Sequence, residues 1–308
     1  MIVLDSLLPV FALILLGNRL KHHRLTDDTF LKTSDRLVYF IFFPAMLFWK
    51  IGGGGSTLAV DWRFCGAALL AVATACLASI CYALVFKLPA FQVGTFCQSC
   101  YRFNTYIGMA IVLTALGEEG VQHFGVLVGL AIPPINVLAV STLIWFSDQP
   151  YSGRQRAWIT FSALVSNPLI LGCLAGILYA RLNLGFPAFL DNTLRLTSLL
   201  TLPLALLSIG GSLTLGQLRG NLSLCLVGAG FKLLLLPLAG FFLFRWLGVG
   251  RLAFHVGMIF CALPTSTAIY VLSSQLKSDT ELASASIVIS TVLSFLSLSV
   301  ALLLPTIF

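Results

Sequence analysis

The sequence predicts an all-α integral membrane fold of ten transmembrane helices, arranged as a five-plus-five inverted repeat with broken fourth and ninth helices. Composition, the spacing of apolar stretches and an internal self-similarity predict it. The chain is 58% hydrophobic and only 9% charged over 308 residues, against roughly a quarter charged in a soluble domain. A spanning helix needs about 20 apolar residues to cross about 30 Å of hydrocarbon, so ten spans with short connections use nearly the whole length.

The first apolar stretch, Ile2 to Leu20, carries Asp5 and Pro9 and has no basic segment before it, so it reads as a first span rather than a secretory leader. Further spans are expected at 30–50, 64–86, 90–116, 121–147, 157–180, 194–216, 221–246, 251–276 and 281–306. The odd-numbered connections hold ten basic residues: Arg19, Lys21, Arg24, Lys32, Arg36, Lys87, Arg154, Arg156, Arg219 and Lys277. The even ones hold six: Lys50, Arg63, Arg181, Arg195, Arg245 and Arg251. The positive-inside rule therefore places both termini on the non-cytoplasmic side, and the expected location is the plasma membrane, a bacterial inner membrane. Such dispersed charges also argue against a nucleic-acid partner, despite a net charge of +7.

An offset of 159 residues pairs Pro9 with Pro168, Gly17 with Gly176, Arg36 with Arg195, Leu37 with Leu196 and Pro44 with Pro203. This divides the chain into a first repeat, 1–147, and a second, 156–308. Five spans is an odd number, so the second repeat enters the membrane upside down, as in many secondary transporters.

The fourth and ninth spans are the least regular. The fourth reads Gln98-Ser-Cys-Tyr-Arg102-Phe-Asn104-Thr105-Tyr-Ile-Gly108, and the ninth reads Cys261-Ala-Leu-Pro264-Thr265-Ser266-Thr267-Ala-Ile-Tyr270. Pro264 lacks a helical N–H and its ring clashes with the preceding turn, so the backbone is expected to open there. Exposed backbone at such depth persists only where protein or a watery cavity satisfies it, and half-helix N-termini there aim positive dipole ends at anions. The Thr265-Ser266-Thr267 hydroxyls could serve a ligand or bond back to their own helix.

Lys232 lies about 11 residues into the eighth span, roughly 15 Å deep at 1.5 Å per residue, and Arg102 lies at comparable depth. Each is either an internally paired cation or a substrate-facing one. All eleven acids fall in connections or near span ends. Two buried cations without a buried acid favour an anionic ligand as the missing partner. The same pattern removes the usual carboxylate for proton or sodium coupling, while neutral oxygens, including Asn104, could still hold a cation. The candidate substrate-binding residues are Arg102, Asn104, Thr105, Gly108, Lys232, Pro264, Thr265, Ser266, Thr267 and Tyr270. No catalytic residue, metal ligand or cofactor is expected. Cys97 and Cys100 have CxxC spacing but no second pair or His cluster, and the eight cysteines read as packing residues. No GxSxG elbow or His-rich metal motif suggests an enzyme.

The stretch Ala262-Leu-Pro-Thr-Ser-Thr-Ala-Ile-Tyr270-Val-Leu-Ser-Ser-Gln275, with Asp279 beyond it, resembles the late signature of the auxin efflux carrier family. That family includes bacterial malonate and malate permease-like members and, more distantly, the plant PIN-FORMED carriers. Asn104 with Gly108, Asn167-Pro168, Pro203 with Ile209-Gly-Gly, and Lys232 with Pro237 fit the same pattern. The resemblance implies a bile-acid-symporter-like fold, with a scaffold around helices 1, 2, 6 and 7 and a transport bundle around helices 3–5 and 8–10. It also implies carriage of small carboxylates by alternating access. Arg102-Phe103 departs from the smaller or neutral residues expected of many relatives. The alternatives are a sodium-coupled organic-anion symporter of bile-acid type, or an anion channel or sensor. The expected partners are a small organic anion and the lipid bilayer, and a homodimer is compatible with the architecture.

Overall fold

Helices dominate the computed structural model, which describes residues 2–53, 61–146, 152–165, 167–182, 184–213 and 222–307. Asp148 and Arg219, counted above among the charges of the connections, lie outside the described residues. The first helix, α1 (Ile2–His22), ends with Arg19, Lys21 and His22 in its last turn, where cations complement the negative end of the helix dipole. Asp27 caps α2 (Asp28–Leu37) by accepting from the Phe30 amide at 2.7 Å. A π-helical turn, Val38–Phe42, leads into α3 (Phe43–Gly52). Asp61 caps α4 (Trp62–Val85), and α5 (Ala90–Tyr101) follows.

Next comes α6 (Thr105–Trp145), 41 residues long. At 1.5 Å per residue it would measure roughly 60 Å, twice a hydrocarbon core. Gly117 interrupts it with φ 66° and ψ −158°, a left-handed conformation that glycine adopts without a Cβ penalty. The expected connection between the fourth and fifth spans is thus one glycine kink rather than a loop.

The later helices are α7 (Gly153–Val165), α8 (Pro168–Arg181), α9 (Ala188–Ser212), α10 (Leu222–Gly230), α11 (Leu236–Trp246), α12 (Arg251–Ala262), α13 (Ala268–Gln275) and α14 (Thr280–Ile307). The expected continuous sixth span, 157–180, is instead two helices. Asn167 caps α8 by accepting from the Leu169 and Ile170 amides, at 3.0 and 3.4 Å, and Pro168 starts the new helix. A second π-helical turn, Phe231–Leu235, joins α10 to α11. Both π turns begin six residues before a proline, Pro44 or Pro237. The widened turn accommodates a ring that supplies no N–H to the ladder.

Six helices among the described residues are long and apolar enough to cross a membrane: α1, α4, α6, α9, the α10–α11 unit and α14. Close backbone approach fixes two helix–helix seams. A Cβ at Gly17 would sit 2.1 Å from the Leu207 carbonyl oxygen, and one at Gly210 would sit 1.8 Å from that of Ile14, so α1 and α9 meet main chain to main chain. Gly172 of α8 approaches Pro44 of α3 in the same way, at 2.7 Å. Charges gather at helix ends, where Lys50 pairs with Glu118 beside the Gly117 kink and Lys21 pairs with Asp28. Trp49 lies under the Lys50 ammonium and donates from Nε1 to Asp191 at 2.7 Å, tying α3 to α9.

Candidate functional site

The two least regular stretches of sequence meet in space. Helix α5 stops at Tyr101, and Arg102 turns extended (φ −69°, ψ 140°) before α6 begins at Thr105. Helix α12, also 12 residues long, stops at Ala262, and Leu263 turns extended in the same way (φ −62°, ψ 148°) before α13 begins at Ala268. The openings pair as an antiparallel bridge between Phe103 and Thr265, with the Asn104 amide donating to the Pro264 carbonyl at 2.9 Å. Pro264 has no N–H to continue the ladder of α12, and its own carbonyl, outside any helix, is paired across the crossing.

The crossing gathers four helix ends. The C-termini of α5 and α12 bring unpaired carbonyls and negative dipole ends, while the N-termini of α6 and α13 bring unpaired amides and positive ends. The two buried cations meet these ends differently. Lys232 is fully buried and donates from Nζ to the Cys261 carbonyl at 3.1 Å, while Ser297 donates to the Ala262 carbonyl at 2.9 Å. Arg102, at the end of α5 and 8% exposed, donates from Nη1 to Gln98 Oε1 at 3.1 Å and from Nη2 to Asn136 Oδ1 at 3.0 Å. Among the described residues, neither cation has a carboxylate within 4 Å.

At the positive end of α6, Asn104 is 1% exposed and accepts on Oδ1 from the Tyr106 and Ile107 amides, at 3.1 and 3.2 Å. Its Nδ2 is buried with no hydrogen-bond partner among the described residues. Leaving a buried donor unmatched costs about 1–3 kcal/mol, so such a group in a well-packed crossing calls for a functional reason. Thr265 is spent on structure: Oγ1 donates to the Ser99 carbonyl at 2.8 Å and its amide donates to Ser290 Oγ at 3.1 Å. Ser266 accepts from the Ala268 amide at 3.3 Å, and Thr267 makes no side-chain cap to α13. Both are half-buried.

Gly108 is buried because Leu263 and Phe124 press on it. An added Cβ would lie 2.6 Å from Leu263 Cδ1 and 2.5 Å from Phe124 Cζ. Thr105 is half-buried in the first turn of α6. Tyr270, on α13, is 46% exposed, and its amide donates to the Thr267 carbonyl at 3.2 Å. The crossing therefore assembles Arg102, Asn104, Gly108, Pro264 and Thr265, with Lys232 bracing its α12 end. The sequence reading did not single out Gln98 and Asn136, the two neutral partners of Arg102. The signal for Asn136 was slight: one amide in an apolar run, just after Pro133-Pro134. No group of three His, Cys, Asp or Glu that could hold a metal occurs among the described residues.

A sheath of exposed leucine, phenylalanine and valine around buried, interrupted helices is the build of a multi-pass membrane protein. Residues 152–302 match the family described as Membrane transport protein. The chain is also 24% identical over 303 residues, covering 96% of each chain, to an uncharacterized transporter of Methanocaldococcus jannaschii.

Proposed function

We propose that this protein is a secondary transporter carrying a small organic anion, a mono- or dicarboxylate, across the plasma membrane by alternating access. The observation that carries the reading is the crossing itself. A positive helix end and the unmatched Asn104 Nδ2 lie in the same knot of chain as Arg102, which has only neutral partners. A carboxylate supplies the acceptors and the negative charge that this arrangement lacks.

In this reading the chain makes ten spans in two inverted repeats of five, both termini lie outside, and the two broken spans cross at the bilayer centre. The scaffold comprises the first, second, sixth and seventh spans, which contain α1, α3, α8 and α9, and the remaining spans carry the crossing. The equal lengths of α5 and α12 and their matching extended ends support the repeat. The glycine-tight seams of α1 with α9 and of α3 with α8 support a rigid scaffold.

Efflux of one negative charge from a cell with an inside-negative potential gains about 2.3 kcal/mol per 100 mV, so uncoupled export suits this charge pattern. Reconstituted vesicles test it. Saturable carboxylate flux with counterflow is expected, driven by membrane potential alone. Unsaturated conductance would point to a channel, and a strict requirement for a sodium gradient would favour the bile-acid type of symport.

A further inference from the structure

The partners of Arg102 are unusual for a buried guanidinium. An arginine removed from water is ordinarily matched by a carboxylate, because its desolvation otherwise goes uncompensated. Here both bonds go to amide oxygens, those of Gln98, fully buried on α5, and Asn136, 5% exposed on α6. Gln98 is itself held by a bond from Nε2 to the Gly94 carbonyl at 3.3 Å, one turn back on its own helix. Asn136 reaches Arg102 from 34 residues away, beyond the Gly117 kink. The two amides therefore fix the guanidinium from two sides while adding no charge of their own. A five-donor group held by two bonds retains donors for another acceptor.

We propose that Gln98 and Asn136 form a neutral cradle that holds Arg102 in place without cancelling its charge, and that Asn136, by being uncharged, lets Arg102 set the anion preference of the crossing. Asn136 is a positioning residue: it acts on the ligand through Arg102. The inference rests on the anion-carrier reading above. An aspartate at position 136 has almost the same shape but would pair with Arg102, filling the place of the ligand's charge and leaving a site that no longer favours anions over neutral molecules of the same form. A leucine there removes the bond yet leaves the charge of Arg102 in force.

The test uses purified full-length protein with Asn136→Asp and Asn136→Leu. Binding is followed by thermal stabilisation against acetate, malonate and benzoate, each compared with its uncharged amide. In wild type the carboxylates are expected to stabilise and the amides not. In Asn136→Asp, carboxylate affinity should fall about tenfold or more, as for loss of a hydrogen bond to a charged group, and the ligand-free melting temperature should exceed that of Asn136→Leu. The leucine variant should keep the preference for carboxylate over amide. Retention of wild-type carboxylate affinity by Asn136→Asp overturns the cradle, as does loss of the preference in both variants alike. If no carboxylate stabilises the wild type, the anion reading fails for these probes, and the ligand-free comparison judges the cradle separately: a more stable aspartate variant upholds it, and an equal or less stable one refutes it.

Discussion

The two openings at the crossing meet the same electrostatic demand by different means. The first is three residues long, Arg102 to Asn104, carries its own cation and closes with an asparagine cap on α6. The second is five residues long, Leu263 to Thr267, and contains a proline. It borrows its cation from the π turn of a neighbouring helix and leaves α13 with only the weak Ser266 contact. In the first, the polar groups are local and one donor is left over. In the second, Lys232, Thr265 and Ser297 are all committed to main-chain groups. The contrast teaches that two buried cations need not share one job: Lys232 stabilises a helix end, while Arg102 remains able to meet a ligand.

The largest effect should fall on the first opening. Arg102→Gln is expected to weaken carboxylate binding by about 1.5–3 kcal/mol, the worth of a hydrogen bond to a charged group. Lys232→Gln should instead lower the melting temperature by disturbing the Cys261 carbonyl contact, with a smaller change in affinity. Equilibrium binding and thermal unfolding of the two proteins separate these outcomes. If both bind as wild type does, the cations are structural, and if Lys232→Gln alone loses binding, the contrast is reversed.

An intermediate effect should divide the two ends of Asn104. Asn104→Ala removes the cap and the free donor together, at about 0.5–2 kcal/mol of stability for the cap. Asn104→Asp keeps an oxygen for the α6 amides but replaces Nδ2 with an acceptor, so binding should fall while the helix persists. Circular dichroism alongside ligand titration would show whether stability and binding part in this way. Carboxylate affinity unchanged in Asn104→Asp would remove Nδ2 from the site.

The smallest effect is expected at the second opening. Ser266→Ala should cost about 0.5–1.5 kcal/mol at most, as for a neutral hydrogen bond, and less in affinity than Arg102→Gln. A binding loss larger than that of Arg102→Gln would move the centre of the site toward α13.

Both breaks were legible in the sequence because their causes are local. Pro264 removes an N–H, and the polar run from Gln98 to Gly108 stands out against apolar flanks. The role of Lys232 was not legible, since its depth follows from counting along a helix but its partner is a carbonyl freed 29 residues later by the Pro264 break. Asn136 was hidden for the same reason, its meaning depending on how α6 folds back after Gly117. The π turns are not legible in the sequence, because Pro44 and Pro237 read equally well as ordinary kinks. Asn167-Pro168 fits the family pattern, but its capping of α8, which splits the sixth span, depends on the Asn167 side chain folding back onto the Leu169 and Ile170 amides.

The glycine seams carry a consequence for mechanics. Where Gly17 and Gly210 let main chains touch, no side-chain layer is left to yield, and rotation of α1 or α9 would drive a Cβ-bearing neighbour into a carbonyl. Such a joint behaves as a weld. In the alternating-access reading, movement is then diverted to interfaces filled by side chains, such as Phe11 against Phe295 between α1 and α14. Stiffness in one plane would thus select the planes along which the remaining helices slide in that reading.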